Sequence, residues 1–224
     1  MGSAVAGPAV VSDLDPFSIE ALREPNTTDE RIRESGPVIF LEKHEIWFTG
    51  RYDLADEVFR DYETYESSSG TGVTNTKKSE NWRKPSVILE NDPPAHTKYR
   101  RIMASILSQR VVRRLTDQFQ AAADTLVDSV LQSTEFDAAK ELAEPFPLQV
   151  LPDAVGFQPE GRHHLLPYSN LNFQAMGPRN WLFDRATEAA EEAATFVNWQ
   201  MRRDNLVAGG LGHTIYSYVD QGEI

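Results

Sequence analysis

The chain has 224 residues, of which 40% are hydrophobic and 25% are charged, and its formal net charge is −12. These proportions are typical of a globular protein with one or two domains, and the negative charge argues against a general nucleic-acid binder, whose contact surface would be basic. No apolar run approaches the length needed to span a bilayer, and the absence of cysteine excludes disulfides and thiolate ligands within these residues. We therefore expect a cytoplasmic protein that binds neither nucleic acid nor membrane.

The first residues of the chain lack the features of a signal peptide. They contain neither a basic segment nor a sustained apolar run. We expect residues 1–14 to be a disordered lead or an expression-vector remnant, followed by a folded region at residues 15–224.

The first predicted elements are a short helix and a β-hairpin. Residues 27–36 carry a capping residue, acids in the first turn and a final glycine, which predicts a helix. Residues 38–41 and 46–49 are β-rich runs separated by polar residues, which predicts a hairpin. In residues 51–60 the apolar side chains are spaced so that they would share one face of a helix, which predicts a helix there. Residues 66–91 are rich in Ser, Gly, Thr, Asn, Lys and Pro, which predicts a long loop, and long ordered loops tend to be functional.

The remainder of the chain is predicted to be mainly helical. Prolines interrupt the apolar residues 139–155, which predicts a kinked or broken helix there, and residues 136–138 are expected to form a short strand. Helices are predicted after Asp92 and at residues 111–132, 162–176, 183–203 and from 213 onward. The predicted fold class is therefore mainly α with a small β-sheet near the N-terminus.

The most informative segment runs from Asp92 to Arg101 and reads DPPAHTKYRR. Its prolines cannot lie in a helix interior, and Asp92 can cap the helix that follows. His96 and Arg100 are four residues apart and share one face of that helix, where a neutral donor and a guanidinium suit an anionic partner. A surface helix with ion pairs would explain the same pattern.

This segment resembles the DPP-x-H-x-x-x-R signature of helix C in the cytochrome P-450 heme-thiolate monooxygenases. The order of predicted elements is also similar to the N-terminal half of that fold, from helix A to about helix H. The resemblance implies that His96 and Arg100 bind the propionates of heme b, whose iron is ligated by a cysteine outside this segment. It implies no catalytic residue and no metal ligand here, and the isolated histidines show no metal-ligand spacing. This segment alone should therefore be inactive.

A basic region lies between residues 92 and 114, although the chain as a whole is acidic. Six cations stand there against Asp92 alone: Lys98, Arg100, Arg101, Arg110, Arg113 and Arg114. They could simply stabilise helix ends, or they could dock an acidic partner. The resemblance implies an electron-donor docking face at Arg101, Arg110, Arg113 and Arg114.

The segment from Trp82 to Glu90 combines a cation, Arg83, and a hydroxyl, Ser86, with an apolar run that ends at Leu89. A solvated basic loop is the simplest explanation of its composition. The sequence of this segment resembles that of the bacterial cytochromes P-450 that demethylate para-substituted benzoates. That resemblance implies that Arg83 and Ser86 bind a substrate carboxylate, since a buried carboxylate requires paired donors.

Phe173 and Met176 lie about one turn apart on a predicted helix. Ordinary core packing explains such a pair, whereas the resemblance implies that they form, with Leu89, a slot for an aromatic ring. The chain departs from the best-known benzoate demethylases here, because Met176 stands where Phe is usual and Asn172 where Val is usual. The softer Met176 side chain could admit a different ring substituent.

The resemblance implies a monomeric enzyme that uses O2 and electrons from a ferredoxin and its ferredoxin reductase. It would hydroxylate or O-demethylate a para-substituted aromatic carboxylic acid such as 4-methoxybenzoate. Two alternatives are a monooxygenase for a non-acid substrate and a non-catalytic acidic helical module that binds a partner through its basic helix face.

Overall fold

The computed structural model describes residues 10–79 and 81–224. Part of the expected lead, residues 1–9, lies outside the described residues. The prediction of disorder is wrong for residues 10–14, because Val10–Ser12 forms strand β1 and Leu14 is buried in the core beside it. Parallel pairing with Ile39–Leu41 orders Val10–Ser12, and the side chain of Leu14 is only 8% exposed.

The chain divides into two compact units. The first comprises Met1–Pro93 with Ala175–Asn180, and the second comprises Pro94–Gln174 with Trp181–Ile224. The assignment of residues 15–224 to a single domain stays a prediction.

The first unit contains a three-stranded sheet in the order β1-β2-β3. Strands β2 (Ile39–Leu41) and β3 (Ile46–Phe48) are antiparallel, which confirms the predicted hairpin, whereas β1 pairs with β2 in parallel. Ile39 and Leu41 are fully buried because alternate side chains of β2 point into the core. The helices of this unit are α1 (Ile19–Arg23), α2 (Pro25–Ser35) and α3 (Tyr52–Arg60).

The second unit is helical throughout its regular structure. Its helices are α4 (Ala95–Ile106), α5 (Gln109–Val130), α6 (Pro145–Val155), α7 (Leu165–Gln174), α8 (Trp181–Gln200) and α9 (Leu211–Asp220). Small residues line the buried side of α8, at Ala186, Ala190 and Ala193, so that α7 can approach it closely. The fold class is therefore mainly α with a small N-terminal sheet, as predicted.

The predicted strand at residues 136–138 is wrong, and the broken helix after it is confirmed. The Asp137 carboxylate accepts hydrogen bonds from the backbone N–H groups of Ala139 and Lys140, which starts a helical turn instead of a strand. A π-helical turn, Ala139–Ala143, leads into α6, which begins at Pro145.

Among the residues that the structure describes, no helix is long and apolar enough to cross a membrane. The same residues contain no group of three or more histidine or acidic side chains able to hold a metal ion.

Candidate functional site

A long loop joins α3 to α4, and the carboxylate of Asp92 fixes its base. The two Asp92 oxygens accept hydrogen bonds from the backbone N–H groups of Ser67 and Ser68, each at 2.9 Å. The bond from Ser67 is the main reason that the pKa of Asp92 is lowered. The predicted role of Asp92 as the cap of α4 is wrong, because Pro94 occupies the cap position and no side chain caps this helix.

A second carboxylate, Glu66, organises the beginning of the same loop. It accepts hydrogen bonds from the hydroxyls of Ser69 and Ser68 and forms an ion pair with Lys77, whose Nζ lies 3.0 Å from both oxygens. The Ser69 hydroxyl, followed by Lys77, lowers the pKa of Glu66. The pair is half exposed, so its main effect is to fix the shape of the loop.

A third carboxylate, Glu90, binds Arg83 through a bidentate ion pair. Nη1 of Arg83 lies 2.8 Å from Oε2 of Glu90, and Nη2 lies 2.9 Å from Oε1. The side chain of Glu90 is only 7% exposed and that of Arg83 is 25% exposed, so this pair is much drier than the Glu66–Lys77 pair. The backbone N–H of Ser86 and the hydroxyl of Thr71 also donate to Glu90.

The charge of Glu90 is stabilised by these donors. Burial alone would raise its pKa, but the hydrogen bond from Arg83, the backbone N–H of Ser86 and the positive charge of Arg83 together lower the pKa below its usual value. Glu90 therefore remains ionised at neutral pH, and the pair carries no net charge.

Arg83 and Ser86 are brought together because both bind Glu90. The hydroxyl oxygen of Ser86 accepts the backbone N–H groups of Ile88 and Leu89, which leaves its own hydrogen without an acceptor in residues 10–79 and 81–224. Nη1 of Arg83 also donates to the carbonyl of Lys84. Within the same residues, Nε and the second Nη2 hydrogen of Arg83 make no hydrogen bond. The unpaired polar groups of the Arg83 and Ser86 side chains are therefore all hydrogen-bond donors.

Sequence reasoning missed Glu90. Its position four residues after Ser86 and seven after Arg83 was visible as an acid inside a basic loop. Because the backbone of this loop is irregular, its sequence has no helical or strand periodicity from which the pairing of Glu90 with Arg83 could be predicted.

The three apolar candidates differ in their surroundings. Leu89 and Met176 belong to the first unit and are 53% and 43% exposed. The carbonyl of Met176 accepts the backbone N–H of Val73 at 2.9 Å, so the beginning of the long loop lies directly against it. Phe173 lies on α7 in the second unit, where its ring is 72% exposed.

His96 and Arg100 lie on α4, as predicted, with His96 partly buried and Arg100 exposed. Buried Ile102 and Ile106 anchor this helix in the second unit. Neither His96 nor Arg100 has a side-chain hydrogen bond or ion pair with another part of the chain that the structure describes. Two free donors one turn apart fit a pair of carboxylates such as the heme propionates.

The cations of α4 and α5 are exposed and make no ion pair with any described residue: Lys98, Arg100, Arg101, Arg110, Arg113 and Arg114. The interpretation that they stabilise helix ends finds no support on α5. Arg110 and Arg113 lie near the N-terminal end of this helix, where the helix dipole disfavours positive charge. The resulting basic surface is available to an acidic partner.

The fold and the sequence identify the chain as part of a bacterial cytochrome P-450. It is 42% identical to cytochrome P450 CYP199A2 of Rhodopseudomonas palustris over 212 residues, which are 94% of this chain and 52% of that protein. It is 31% identical to the cytochrome P450 monooxygenase PikC of Streptomyces venezuelae over 67% of this chain and 37% of that protein. The chain thus spans about half, or less, of the length of these curated relatives. No protein-family model matches it.

Solved structures give the same fold. The myxobacterial cytochrome P450 CYP267B1, solved in complex with myristic acid, superposes with a TM-score of 0.63 at 22% identity and covers 93% of this chain and 54% of its own. CYP109Q5 of Chondromyces apiculatus superposes with a TM-score of 0.62 at 23% identity, over 88% of this chain and 48% of its own. Cytochromes P-450 bind heme through a cysteine thiolate, and these 224 residues contain no cysteine.

Proposed function

We propose that the complete protein is a cytoplasmic monooxygenase that hydroxylates or O-demethylates a para-substituted aromatic carboxylic acid. The observation that carries this proposal is the set of unused donors on Arg83 and Ser86, held side by side by Glu90. The exposed side chain of Leu89 follows them and offers apolar surface to a ring. A carboxylate with an apolar ring attached matches this combination.

The carboxylate would bind the edge of Arg83 that Glu90 leaves open. Nε and the second Nη2 hydrogen form a fork that matches the two oxygens of a carboxylate, and the hydroxyl of Ser86 supplies a further donor. Trp82 lies against the guanidinium, 5.6 Å from ring centroid to Cζ, which limits the motion of Arg83. These contacts orient the acid and shield it from water.

Heme b, when bound, would supply the oxygen-activating chemistry. Arg100 and His96 would hold its propionates, Arg100 by a charge-assisted fork and His96 by a single ring N–H. This role concerns binding and orientation of the macrocycle and requires no proton transfer by either residue.

The electron donor would be a ferredoxin, supplied by a ferredoxin reductase. Its docking face on this chain would include Arg101, Arg110, Arg113 and Arg114, whose side chains are exposed and without an acidic partner in the described chain. Such charges accelerate the encounter with an acidic protein more than they strengthen the final complex. We propose that the enzyme acts as a monomer.

The carboxylate assignment is tested by comparing an acid with its ester. The complete, heme-loaded protein is titrated with 4-methoxybenzoate and with its methyl ester, and binding is followed by calorimetry and by the heme absorption band. Arg83→Ala should weaken binding of the acid by about 1.5–3 kcal/mol, the usual contribution of hydrogen bonds to a charged group, and change binding of the ester little. Ser86→Ala should weaken acid binding less, because a neutral hydroxyl makes a weaker bond.

The ester also serves as the control for damage to the loop. Arg83→Ala leaves Glu90 buried without its cation, and any resulting disorder would weaken the acid and the ester alike. Equal binding of acid and ester to the wild-type protein would overturn the proposal.

A further inference from the structure

Arg83, the cation expected to bind a substrate carboxylate, is already paired with a carboxylate of the protein itself. Glu90 occupies the Nη1–Nη2 edge of Arg83 at 2.8 and 2.9 Å, and its side chain is almost fully buried. Lys77, another cation of the long loop, is itself paired with Glu66. The Arg83–Glu90 pair is therefore electrically neutral before any ligand arrives, and Lys84, the next residue, is a cation exposed to solvent.

We propose that Glu90 is a specificity-determining residue that limits this site to ligands with a single negative charge. The inference rests on the proposed role of Arg83 in carboxylate binding. Glu90 has two effects: it holds the guanidinium so that its Nε edge is presented to the ligand, and it cancels most of the positive charge of Arg83.

The charge limit follows from the two edges of the guanidinium. A ligand carboxylate on the Nε–Nη2 edge is attracted by Arg83 and repelled by Glu90 from a greater distance, so one negative charge is still bound favourably. The next cation in the sequence, Lys84, is exposed to solvent, so water screens its charge and it does little to offset a second negative charge on the ligand group. An unpaired charge in a dry site is costly, so dianions should be rejected.

Replacing Glu90 by Gln removes the charge with little change of volume. The amide oxygen can still accept from Ser86 and Nη1, but the amide N–H₂ group then faces Nη2 of Arg83, so one bond of the bidentate pair is lost. Any loss of order weakens all ligands by a similar factor. Removal of the negative charge instead favours each ligand in proportion to its own charge, and this proportionality separates the two effects.

The experiment measures dissociation constants by calorimetry for three probes that share the 4-methoxyphenyl ring and differ in the charge of the group opposite the methoxy substituent. They are the methyl ester of 4-methoxybenzoate, 4-methoxybenzoate, and 4-methoxyphenylphosphonate above and below its second ionisation. Heme-loaded wild-type protein is compared with Glu90→Gln, with Glu90→Asp, which keeps the charge, and with Glu66→Gln, which removes an equal charge elsewhere in the loop.

In the wild type, the phosphonate monoanion should bind more tightly than the dianion. In Glu90→Gln, the dianion should gain roughly tenfold relative to the benzoate, and the benzoate roughly tenfold relative to the ester, as expected for unit charges about 7 Å apart in a partly solvated site. Glu90→Asp and Glu66→Gln should keep the wild-type order.

Two results would overturn the inference. One is a Glu90→Gln variant in which ester, acid and dianion change by the same factor, which would leave Glu90 a purely structural role. The other, independent of whether that variant folds, is tighter binding of the dianion than of the monoanion by the wild type. Equal binding of acid and ester by the wild type would instead remove the proposed function of Arg83, so the two failures are distinguishable.

Discussion

Asp92 closes the long loop at its base by binding the backbone of Ser67, 25 residues earlier, at 2.9 Å. Two backbone N–H groups that would otherwise lack partners are satisfied by one carboxylate. The loop ends immediately before α4, which carries His96 and Arg100. Asp92 therefore fixes the backbone that leads directly into the candidate heme-binding helix.

Asp92→Ala should loosen this loop. Removing a charged acceptor from two backbone N–H groups is expected to lower the free energy of unfolding by about 1–2 kcal/mol, less than for a buried site because Asp92 is partly solvated. Amide hydrogen exchange should accelerate at Ser67 and Ser68. Asp117→Ala, an exposed acid of α5 with no side-chain bond to a described residue, is the matched control. Unchanged exchange at both serines would contradict the assignment.

The stabilisation by Asp92 should disappear in acid. Its pKa in the folded state is lowered, so the contribution is fully present above the unfolded pKa, about 3.9, and is lost as the pH falls through the lower folded value. The difference in urea midpoint between the wild type and Asp92→Ala should stay constant from neutral pH to about pH 5 and shrink below about pH 4. A difference that persists undiminished at the lowest accessible pH would show that the charge is not responsible.

Local sequence patterns correctly predicted the strands and helices that form because of residues close together in the sequence. The hairpin followed from two β-rich runs separated by polar residues, and α5 followed from a long apolar stripe. The predictions failed where one side chain decided the outcome. The β-forming residue Phe136 suggested a strand, but the hydrogen bonds of Asp137 to the following backbone start a helical turn.

The candidate site was only partly predictable for a similar reason. Arg83 and Ser86 were recognised by resemblance to a family motif, and the structure places them on one shared carboxylate. That carboxylate, Glu90, was missed because its contacts arise inside an irregular loop. Asp92 was assigned to the helix beside it in sequence, whereas its partners lie across the loop and no short window of sequence contains both.

Loss of Arg100 should weaken heme retention more than loss of His96. Arg100 offers a bidentate charged fork to a propionate, whereas His96 offers one ring N–H. The measurement is heme content per polypeptide for Arg100→Ala and His96→Ala after extraction with a competing apoprotein. Lys98→Ala, an exposed cation on another side of the same helix, should retain wild-type content. Wild-type content in both site variants would refute the propionate assignment.

Reversal of charge on the basic surface should slow electron delivery. Arg113→Glu combined with Arg114→Glu is expected to reduce the rate of heme reduction by a ferredoxin at least several-fold at low ionic strength, and the deficit should shrink as salt screens the charges. Binding of the aromatic acid should stay unchanged. Arg31→Glu on α2, also exposed and without a described ionic partner, is the control. A reduction rate that responds neither to the mutations nor to salt would contradict docking at this surface.

Gly72 should be required for the contact between the long loop and Met176. A Cβ atom at Gly72 would lie 2.6 Å from the carbonyl oxygen and 2.7 Å from the Cα of Met176, and these backbone atoms cannot rotate away. Gly72→Ala should therefore push the loop off Met176, break the bond from the Val73 amide and lower the free energy of unfolding by about 1–3 kcal/mol.

The structural effect of Gly72→Ala should be confined to the long loop, and it should also weaken ligand binding. Hydrogen exchange at Val73 is expected to accelerate, and binding of 4-methoxybenzoate should weaken because the loop also carries Arg83. Gly36→Ala is the matched control, since its Cβ would meet its nearest neighbour at 3.4 Å, an ordinary contact, and its backbone is extended. If Gly72→Ala leaves exchange at Val73 at the wild-type rate, the close approach to Met176 does not hold the loop in place.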